Sequence, residues 1–421
     1  MSAYWGSLRK FSRNARLYLV SAGLMGFTVF GGIYSLLRSL YLLRLGYGLE
    51  FIGLVSAVGL LGWALACLPA GDIGRRLGSR RAMVLGLGLA TVGYLLWPLA
   101  EWIPAGWRSA WLVLTFLFSD LSIAMYDVNS QPFLMDATTS EERDQVFSVQ
   151  AALWPIAGFL GSLMGGLLPG FFAALLQTTT EDPATFRYPL LLAGASLGIG
   201  VLALHTARES GRTTTLVQEG KTAAAPMGAA PYRIMTFLGV VVLLGSMGEG
   251  AARTFFSVYL DAGLHTPTAY IGILAAIGQL LAAPAALAMP MAAGRWGHRR
   301  VFLWGSVGMA LSLLPLALIP NWGAAGLGYM AMIALVSLTR PAVSVYMMEI
   351  TPVAWRPTMS GVYTMAIGLS WSAISLGGGY MIAALGYPSF FLSSAALTGV
   401  GAALFGLRQR AIAEPHPASV A

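Results

Sequence analysis

The sequence predicts an all-α integral membrane protein with twelve transmembrane helices in two six-helix halves. Three observations predict this fold. Hydrophobic residues make up 57% of the 421 residues and charged residues only 10%, whereas an ordinary soluble domain has about 25% charged residues. Apolar runs of about 20 residues, long enough to cross a bilayer, recur along the chain. Two short patterns of charged residues and glycines each occur once in the first half and once in the second, which indicates an internal duplication.

The apolar runs give twelve predicted spans, numbered 1 to 12 in chain order. The first run follows four cations and, at roughly 25 residues, is too long for a cleavable signal sequence. Spans 1 to 6 are predicted at roughly 17–41, 51–70, 82–100, 109–133, 146–169 and 187–205. Spans 7 to 12 are predicted at roughly 234–259, 269–291, 301–319, 325–347, 358–383 and 388–407.

These spans divide the chain into five parts. Residues 17–205 form the first six-helix half and residues 234–407 the second. Between them, residues 206–232 are rich in Gly, Ala, Thr and charge, which is typical of a linker. Residues 1–16 and 408–421 are the terminal tails.

The cations predict the orientation of the chain. With the N-terminus inside, 19 of the 25 Lys and Arg residues lie in the tails, the inner loops or the linker. Only Arg44, Arg108 and Arg187 lie in outer loops. Because cytoplasmic loops carry an excess of Lys and Arg, we expect a cytoplasmic linker, both termini in the cytoplasm and a multi-pass protein of the cell's inner (plasma) membrane.

The first repeated pattern lies between spans 2 and 3 and again between spans 8 and 9. It comprises Arg76, Gly78 and Arg80, which recur 219 residues later as Arg295, Gly297 and Arg299. Glycine permits a tight turn, and the arginines keep the segment on the cytoplasmic side. We therefore predict a tight cytoplasmic loop at the same place in each half.

The second repeated pattern joins spans 4 and 5 and spans 10 and 11. It comprises Asp136, Arg143, Gly165 and Gly166, which recur 213 residues later as Glu349, Arg356, Gly378 and Gly379. In both copies the acidic residue is predicted to end a span, the arginine to lie in a short inner loop, and the glycine pair to lie within the next span.

Six charged residues fall inside predicted spans, and only in spans 1, 4, 7 and 10. They are Arg38, Asp120, Asp127, Glu249, Arg253 and Arg340. An unpaired charge at the bilayer centre costs at least about 2.5–3.5 kcal/mol, so each one needs a partner or water. One alternative is that these charges are paired structural groups, and Glu249 with Arg253, four residues apart on one helix, fits that alternative best.

Depth distinguishes these charges from one another. At about 1.5 Å of rise per residue, Asp120 lies roughly 15 Å from either face of the bilayer. Asp127 and Arg340 lie closer to the inner face, at similar depths. A carboxylate at the midplane can exchange a proton or bind a solute, so we expect Asp120 to be the substrate or proton site.

The chain resembles the major facilitator superfamily of secondary transporters. The resemblance rests on the six-plus-six duplication, the long inner linker and the motif Gly-x-x-x-x-[Arg/Lys]-x-Gly-x-[Arg/Lys] after spans 2 and 8. Gly71, Arg76, Gly78 and Arg80 match the motif in the first half. Where the family usually has an aspartate, this chain has Arg75, so either Asp72 replaces that aspartate or the inner latch is weak.

The resemblance implies two pseudo-symmetric bundles around a central cavity lined by spans 1, 4, 7 and 10. It also implies an inner gate that closes when the protein opens outward. The gate residues are Gly71, Asp72, Arg76, Gly78, Arg80, Asp136 and Arg143, with Arg295, Gly297, Arg299, Glu349 and Arg356 in the second half. Because spans 4 and 10 face each other in that fold, we expect Asp127 and Arg340 to pair in the outward-open state.

The substrate class follows from the polar and aromatic content of the spans. Tyr34, Tyr126, Phe255 and Tyr346 are candidate cavity aromatics, and the spans have few Asn and Gln residues to bind a sugar. This favours a small amphipathic organic solute. The segment 161–166 also resembles the antiporter motif Gly-Pro-x-x-Gly-Gly, with Ser162 in place of proline; the alternative is simple helix packing.

We therefore expect a secondary active transporter that works by alternating access, with proton-coupled export (efflux by antiport) as its activity. The alternatives are a proton-coupled uptake symporter of an organic nutrient and a non-concentrative receptor or channel. The expected partners are the solute, H+ and the lipid bilayer, with the chain a monomer.

Other function classes lack their sequence signals. There is no His-Glu-x-x-His pair and no phosphate-binding glycine loop, so we expect no enzyme, no cofactor and no metal. Cys67 is the only cysteine, which excludes a disulfide framework. The basic residues flank apolar runs and form no single patch, so we expect no nucleic-acid partner.

Overall fold

A computed structural model of the chain describes residues 11–207, 231–352 and 355–412, and within these ranges every regular element is a helix. Most of the predicted linker, residues 208–230, lies outside the described residues, as do residues 1–10 and 413–421 of the tails. The expectations for those segments stay predictions.

The described helices include 11 stretches that are long and apolar enough to cross a membrane. They are Arg13–Arg44, Leu49–Leu77, Ser79–Trp102, Ala105–Ala137, Gln145–Leu176, Ala184–Thr206, Tyr232–Gly263, Thr268–Trp296, His298–Leu318, Trp322–Ile350 and Thr358–Arg408. Each of the first ten corresponds to one of the predicted spans 1 to 10.

The last stretch contains both span 11 and span 12. Its 51 residues would be about 75 Å long as a straight helix, against about 30 Å for the hydrocarbon core. The backbone turns at Gly386, where φ is 79° and ψ is 169°. Beyond the turn, Phe390 packs back against Gly378. The twelve-helix architecture is therefore confirmed.

The two repeated basic segments differ from the predicted loops. Helix Leu49–Leu77 ends at Gly78 and helix Ser79–Leu96 follows at once, while helices Thr268–Trp296 and His298–Ser312 are joined in the same way by Gly297. The connection is a single glycine with φ of 89° or 81°, a region that glycine enters without steric cost. The motif arginines therefore lie in helical end turns, not in loops.

The second pattern needs the same correction. Helix Ala105–Ala137 is followed after two residues by helix Ser140–Leu176, so Arg143 lies in the first turn of a helix. Its Nη2 donates to the carbonyl of Met135 over 3.3 Å. In the second half, Arg356 is the first residue of the helix of span 11, and its Nε donates to the carbonyl of Thr351 over 3.3 Å.

Spans 1 and 7 are each broken near the middle, which the apolar pattern did not reveal. Span 1 consists of helices Arg13–Thr28 and Ile33–Arg44. Span 7 consists of helices Tyr232–Gly245 and Met247–Val258, followed by a π-helical turn at Tyr259–Gly263. In span 1 the break includes Gly31, with φ of 79°.

The two halves meet through small residues. Spans 5 and 8 approach so closely that a Cβ on Gly166 would lie 2.7 Å from the Cα of Gly272. Spans 2 and 11 are joined by a hydrogen bond of 2.9 Å from Ser372 Oγ to the carbonyl of Ala57. Small residues let membrane helices pack backbone to backbone, so the glycine of the second repeat has a packing role.

Candidate functional site

A cavity of about 160 Å³ lies between the halves near the middle of the membrane spans. Its wall includes Phe30, Tyr34, Arg38, Trp63, Tyr94, Phe116, Asp120, Arg253, Thr254 and Trp371. Spans 1, 4 and 7 contribute as expected from the resemblance. Spans 2, 3 and 11 contribute as well, whereas span 10 lines a separate, smaller cavity of about 30 Å³.

Asp120 lies at the wall of the central cavity, on span 4. Tyr94 and Arg38 line the same cavity. The carboxylate packs against Gly59 of span 2, where a Cβ would collide with both Asp120 and Phe116. The absence of a side chain at Gly59 therefore provides the space that the Asp120 carboxylate occupies.

Arg38 faces the same cavity from span 1. Its Nη2 donates to Ser56 Oγ over 3.2 Å, and its guanidinium carbon lies 4.6 Å from the centre of the Phe116 ring. Its Nε is buried without a hydrogen-bond partner. This cation is thus held by a hydroxyl and a ring, with no carboxylate in direct contact.

Glu249 is buried, with 4% of its surface exposed, and it binds two arginines. Its Oε1 accepts from Arg253 Nε over 2.7 Å, and both of its carboxylate oxygens lie 2.8 Å from Arg340 Nη2. The guanidinium carbons of both arginines lie 5.4 Å from the centre of the Trp371 ring. One carboxylate therefore serves two cations, and Arg253 also reaches the central cavity.

Asp127 and Arg340 do not meet in this conformation. Asp127 accepts from Trp63 Nε1 over 3.0 Å, and its Oδ1 is buried without a partner. Arg340 is held by Glu249 of its own half. The pairing was expected only for the outward-open state, so it stays a prediction for that state.

The candidate aromatic residues separate into two groups. Tyr34 lines the cavity, and its hydroxyl donates to the carbonyl of Tyr94. Tyr126 shares a 3.0 Å hydrogen bond with Ser21. Phe255 packs on Phe390 and Tyr346 on Phe405, with ring centres 5.1 and 5.5 Å apart. Tyr126, Phe255 and Tyr346 therefore make contacts within their own halves and do not line this cavity.

An ion pair joins the halves at the end of the bundle opposite Gly78 and Gly297. Arg44 of span 1 donates from Nη1 and Nη2 to Asp261 of span 7, over 2.8 and 2.7 Å. Its Nε donates to the carbonyl of Thr180 over 3.1 Å. The side chains of Arg44 and Asp261 are 11% and 9% exposed. We call this pair the outer latch, after the outer loop that the sequence predicts for Arg44.

The sequence placed Arg44 in an outer loop and gave no role to Asp261. Trp63 and Tyr94 were missed too, because an aromatic residue in a span has no signal that separates a cavity wall from a lipid-facing surface.

The motif residues make contacts at the other end of the bundle. Asp72 pairs with Arg75 on its own helix, so in this conformation it does not latch a neighbouring helix. Arg80 donates to the carbonyls of His205 and Ala207 at the end of span 6. Glu349 lies 3.1 Å from His298 Nδ1. These contacts stay within each half.

Solved structures with the same fold include several transporters. A D-xylose-proton symporter matches with a TM-score of 0.72 and 16% identity, covering 96% of this chain and 97% of that chain. The nucleoside transporter NupG matches with a TM-score of 0.72 and 15% identity, covering 94% and 99%. A peptide transporter, POT, matches with a TM-score of 0.74 and 14% identity, covering 95% of both chains. At these identities the likeness shows the fold alone.

Sequence comparison adds one curated relative and a family. A folate-biopterin transporter of Synechocystis sp. is 28% identical over 157 residues, which is 36% of this chain and 31% of the relative. The match therefore spans about a third of that protein. The sequence model of the Major Facilitator Superfamily matches residues 19–238 and 238–420, nearly the whole chain. The chain belongs to the Major Facilitator Superfamily.

Proposed function

We propose that the protein is a secondary active transporter that moves a small amphipathic organic solute by alternating access, with Asp120 as the proton-carrying group. The observation that carries this proposal is the central cavity. It brings one carboxylate, Asp120, and two guanidinium groups, Arg38 and Arg253, to one aromatic-walled space between the halves. Sites of this kind at the repeat interface are where transporters of inverted-repeat folds bind solute and ion.

The outer latch supports alternating access over a passive channel. Its ion pair closes one end of the bundle by joining spans 1 and 7, one from each half. A pore open to both sides needs this pair broken permanently. The direction, export or uptake, depends on the charge of the solute.

Flat aromatic solutes are the first compounds to test. The cavity wall has two tryptophans, Trp63 and Trp371, besides Phe30, Tyr34 and Phe116. The curated relative is named for folate and biopterin, both of which contain a flat pterin ring. We propose solutes of this shape as candidate substrates.

Reconstituted vesicles test the proposal. In a pH gradient, the wild-type protein is expected to accumulate substrate, whereas Asp120→Asn exchanges substrate across the membrane but does not concentrate it, because the side chain no longer carries a titratable proton. Glu101→Gln is the matched control, since Glu101 pairs with Arg187 within the first half and does not line the cavity.

Two results would contradict the proposal. Full pH-driven accumulation by Asp120→Asn removes this residue from proton coupling. Equilibration without accumulation by the wild-type protein, under both pH and voltage gradients, indicates a passive carrier or channel.

A further inference from the structure

We infer that the central cavity binds an aromatic organic anion, and that the anion binds together with a proton on Asp120. This inference rests on the proposed function and deepens it by naming the charge of the substrate. It also fixes the relation between the direction of the proton and that of the solute.

Arg38 is the first reason to expect an anion. Its guanidinium makes one hydrogen bond, to Ser56 Oγ, and a cation–π contact with the ring of Phe116. Its Nε is buried and has no partner. A guanidinium presents five donors in a planar fork that matches a carboxylate. Because the Nε is shielded from the cavity, the donors that remain for a solute are those of the Nη atoms, and Arg38 is a buried cation at the cavity wall.

Arg253 supplies the second cation, from the other half. Its Nε is bound to Glu249, but Glu249 also binds Arg340 with both carboxylate oxygens. Two positive charges thus share one negative charge, which leaves a net charge of +1 at this cluster. The Arg253 side chain is 32% exposed and lines the cavity, so the excess charge is open to the solute.

The aromatic wall fits the rest of such a solute. Trp371 stacks near both Arg253 and Arg340, and the Trp63 indole is fixed by its hydrogen bond to Asp127. Both rings line the cavity. Because aromatic rings stack well on indoles, a flat ring carrying a carboxylate satisfies the wall and the two arginines together.

Asp120 links this anion to a proton. The charged and titratable groups around it are Arg38 and Tyr34 of span 1, Tyr94 of span 3, Asp127 of its own span and Arg253 of span 7, while span 2 presents Gly59 and Trp63. Ionised Asp120 and a substrate carboxylate both draw on the positive charge of Arg38. A proton on Asp120 removes that competition.

The sign of the substrate therefore sets the type of coupling. An anion binds best when Asp120 is protonated, so proton and anion cross the membrane in the same direction. A cationic solute would instead compete with the proton for Asp120, and the two would cross in opposite directions. For an inward proton gradient the anion is taken up, so this inference selects uptake over export.

Three probes with the same indole ring and different charges test the inference. They are indole-3-acetate (anionic), indole-3-acetamide (neutral) and tryptamine (cationic), titrated into the purified full chain by calorimetry. We expect the acid to bind about tenfold or more tightly than the amide, as for hydrogen bonds to a charged group. Calorimetry in two buffers of different ionisation enthalpy should show uptake of up to one proton per anion, and the affinity should fall by up to about tenfold per pH unit as Asp120 ionises.

Variants separate the two parts of the inference. Arg38→Gln should lose the preference for the acid and keep binding of the amide, while Asp120→Asn should bind the acid without proton uptake. Glu101→Gln, whose carboxylate pairs with Arg187 within the first half and does not line the cavity, is the control and should match the wild type. The wild-type ranking of the three probes tests the inference even where a cavity variant does not fold.

The outcomes distinguish this inference from the proposed function. If the amide or tryptamine binds as tightly as the acid, or if the acid binds without proton uptake, the inference is wrong and the proposed transporter stands. If none of the three binds, the proposed amphipathic aromatic solute is overturned, and the inference with it.

Discussion

Breaking the outer latch should open the end of the bundle that Arg44 and Asp261 close. The substitution Asp261→Asn keeps the size of the side chain and removes its charge. Arg44 then loses its bidentate ion pair across the halves, with N–O distances of 2.8 and 2.7 Å. Because spans 1 and 7 belong to different halves, the ion pair exists only when this end of the bundle is closed. Its loss therefore destabilises the closed state.

The magnitude follows from the two charged hydrogen bonds. Each contributes about 1.5–3 kcal/mol, and water replaces part of this when the end opens. The pair is about nine-tenths buried, so the discount for solvent is modest. Taking about 1.5–3 kcal/mol for the whole latch, Asp261→Asn should raise the ratio of open to closed molecules by about 10- to 150-fold.

Cysteine labelling measures this ratio. Cys67 is the only cysteine, so Cys67→Ser gives a clean background for Ser257→Cys. Ser257 is 5% exposed and lies one helical turn before Asp261, between the latch and the cavity. The labelling rate with an impermeant maleimide, added from the latch side, should rise in proportion to the open population.

A matched control separates the latch from a general loss of charge. Arg187 pairs with Glu101 over 2.6 Å at the same end of the bundle, but both lie in the first half. Arg187→Gln should leave the labelling rate at Ser257→Cys unchanged. If Asp261→Asn labels no faster than this control, the latch does not hold the halves together and the reasoning fails.

Two further predictions concern the other membrane charges. Glu249→Gln should lower the free energy of unfolding by about 3–5 kcal/mol, because it leaves two arginines without a carboxylate partner. Thermal unfolding in detergent measures this loss. A loss below about 1 kcal/mol would show that Glu249 adds little to stability. Asp127→Cys with Arg340→Cys, in the Cys67→Ser background, should be joined by a short bismaleimide cross-linker when Asp261→Asn is present and not in its absence, because the cross-linker replaces the length of the arginine side chain that a disulfide cannot span. Cross-linking to the same extent in both backgrounds, or in neither, would refute the state-dependent approach of spans 4 and 10.

The fold was predictable because hydrophobic length and duplication are properties of the sequence itself. The helix ends were less so. Span 2 was predicted at roughly 51–70, but its helix is Leu49–Leu77. The final turns carry Asp72, Arg75 and Arg76, which are too polar to count toward an apolar run yet continue the helix. Hydropathy reports where a helix leaves the apolar core and gives no signal of where it stops.

Of the six charged residues expected at the site, Arg38, Asp120 and Arg253 line the central cavity, and the contacts among the six were only partly predictable. The pairing of Glu249 with Arg253 follows from their spacing on one helix, and the structure has it. The bond between Glu249 and Arg340 joins residues 91 apart in the chain. The periodicity of a sequence does not predict which side chains of two different spans meet, since a rotation of either helix changes those contacts.

The break in span 1 escaped prediction for a different reason. Gly31 and Gly32 lie in an apolar run with no proline, and such glycines are common in membrane helices. The space that a side chain at Gly31 would need is filled by Gln279 of span 8. That requirement comes from the other half of the protein, so it is visible only once the halves are assembled.

The six membrane charges divide unequally between the halves, and this division bears on coupling. Arg38, Asp120 and Asp127 give the first half a net charge of −1, whereas Glu249, Arg253 and Arg340 give the second half +1. The halves therefore attract each other across a medium of low dielectric constant.

A proton on Asp120 cancels the negative charge of the first half and weakens that attraction. An anion bound as inferred above restores it. The empty cavity and the cavity loaded with both proton and anion thus carry the same net charge, while a cavity loaded with only one of them does not. A transporter that changes conformation readily in only those two states moves the proton and the anion together.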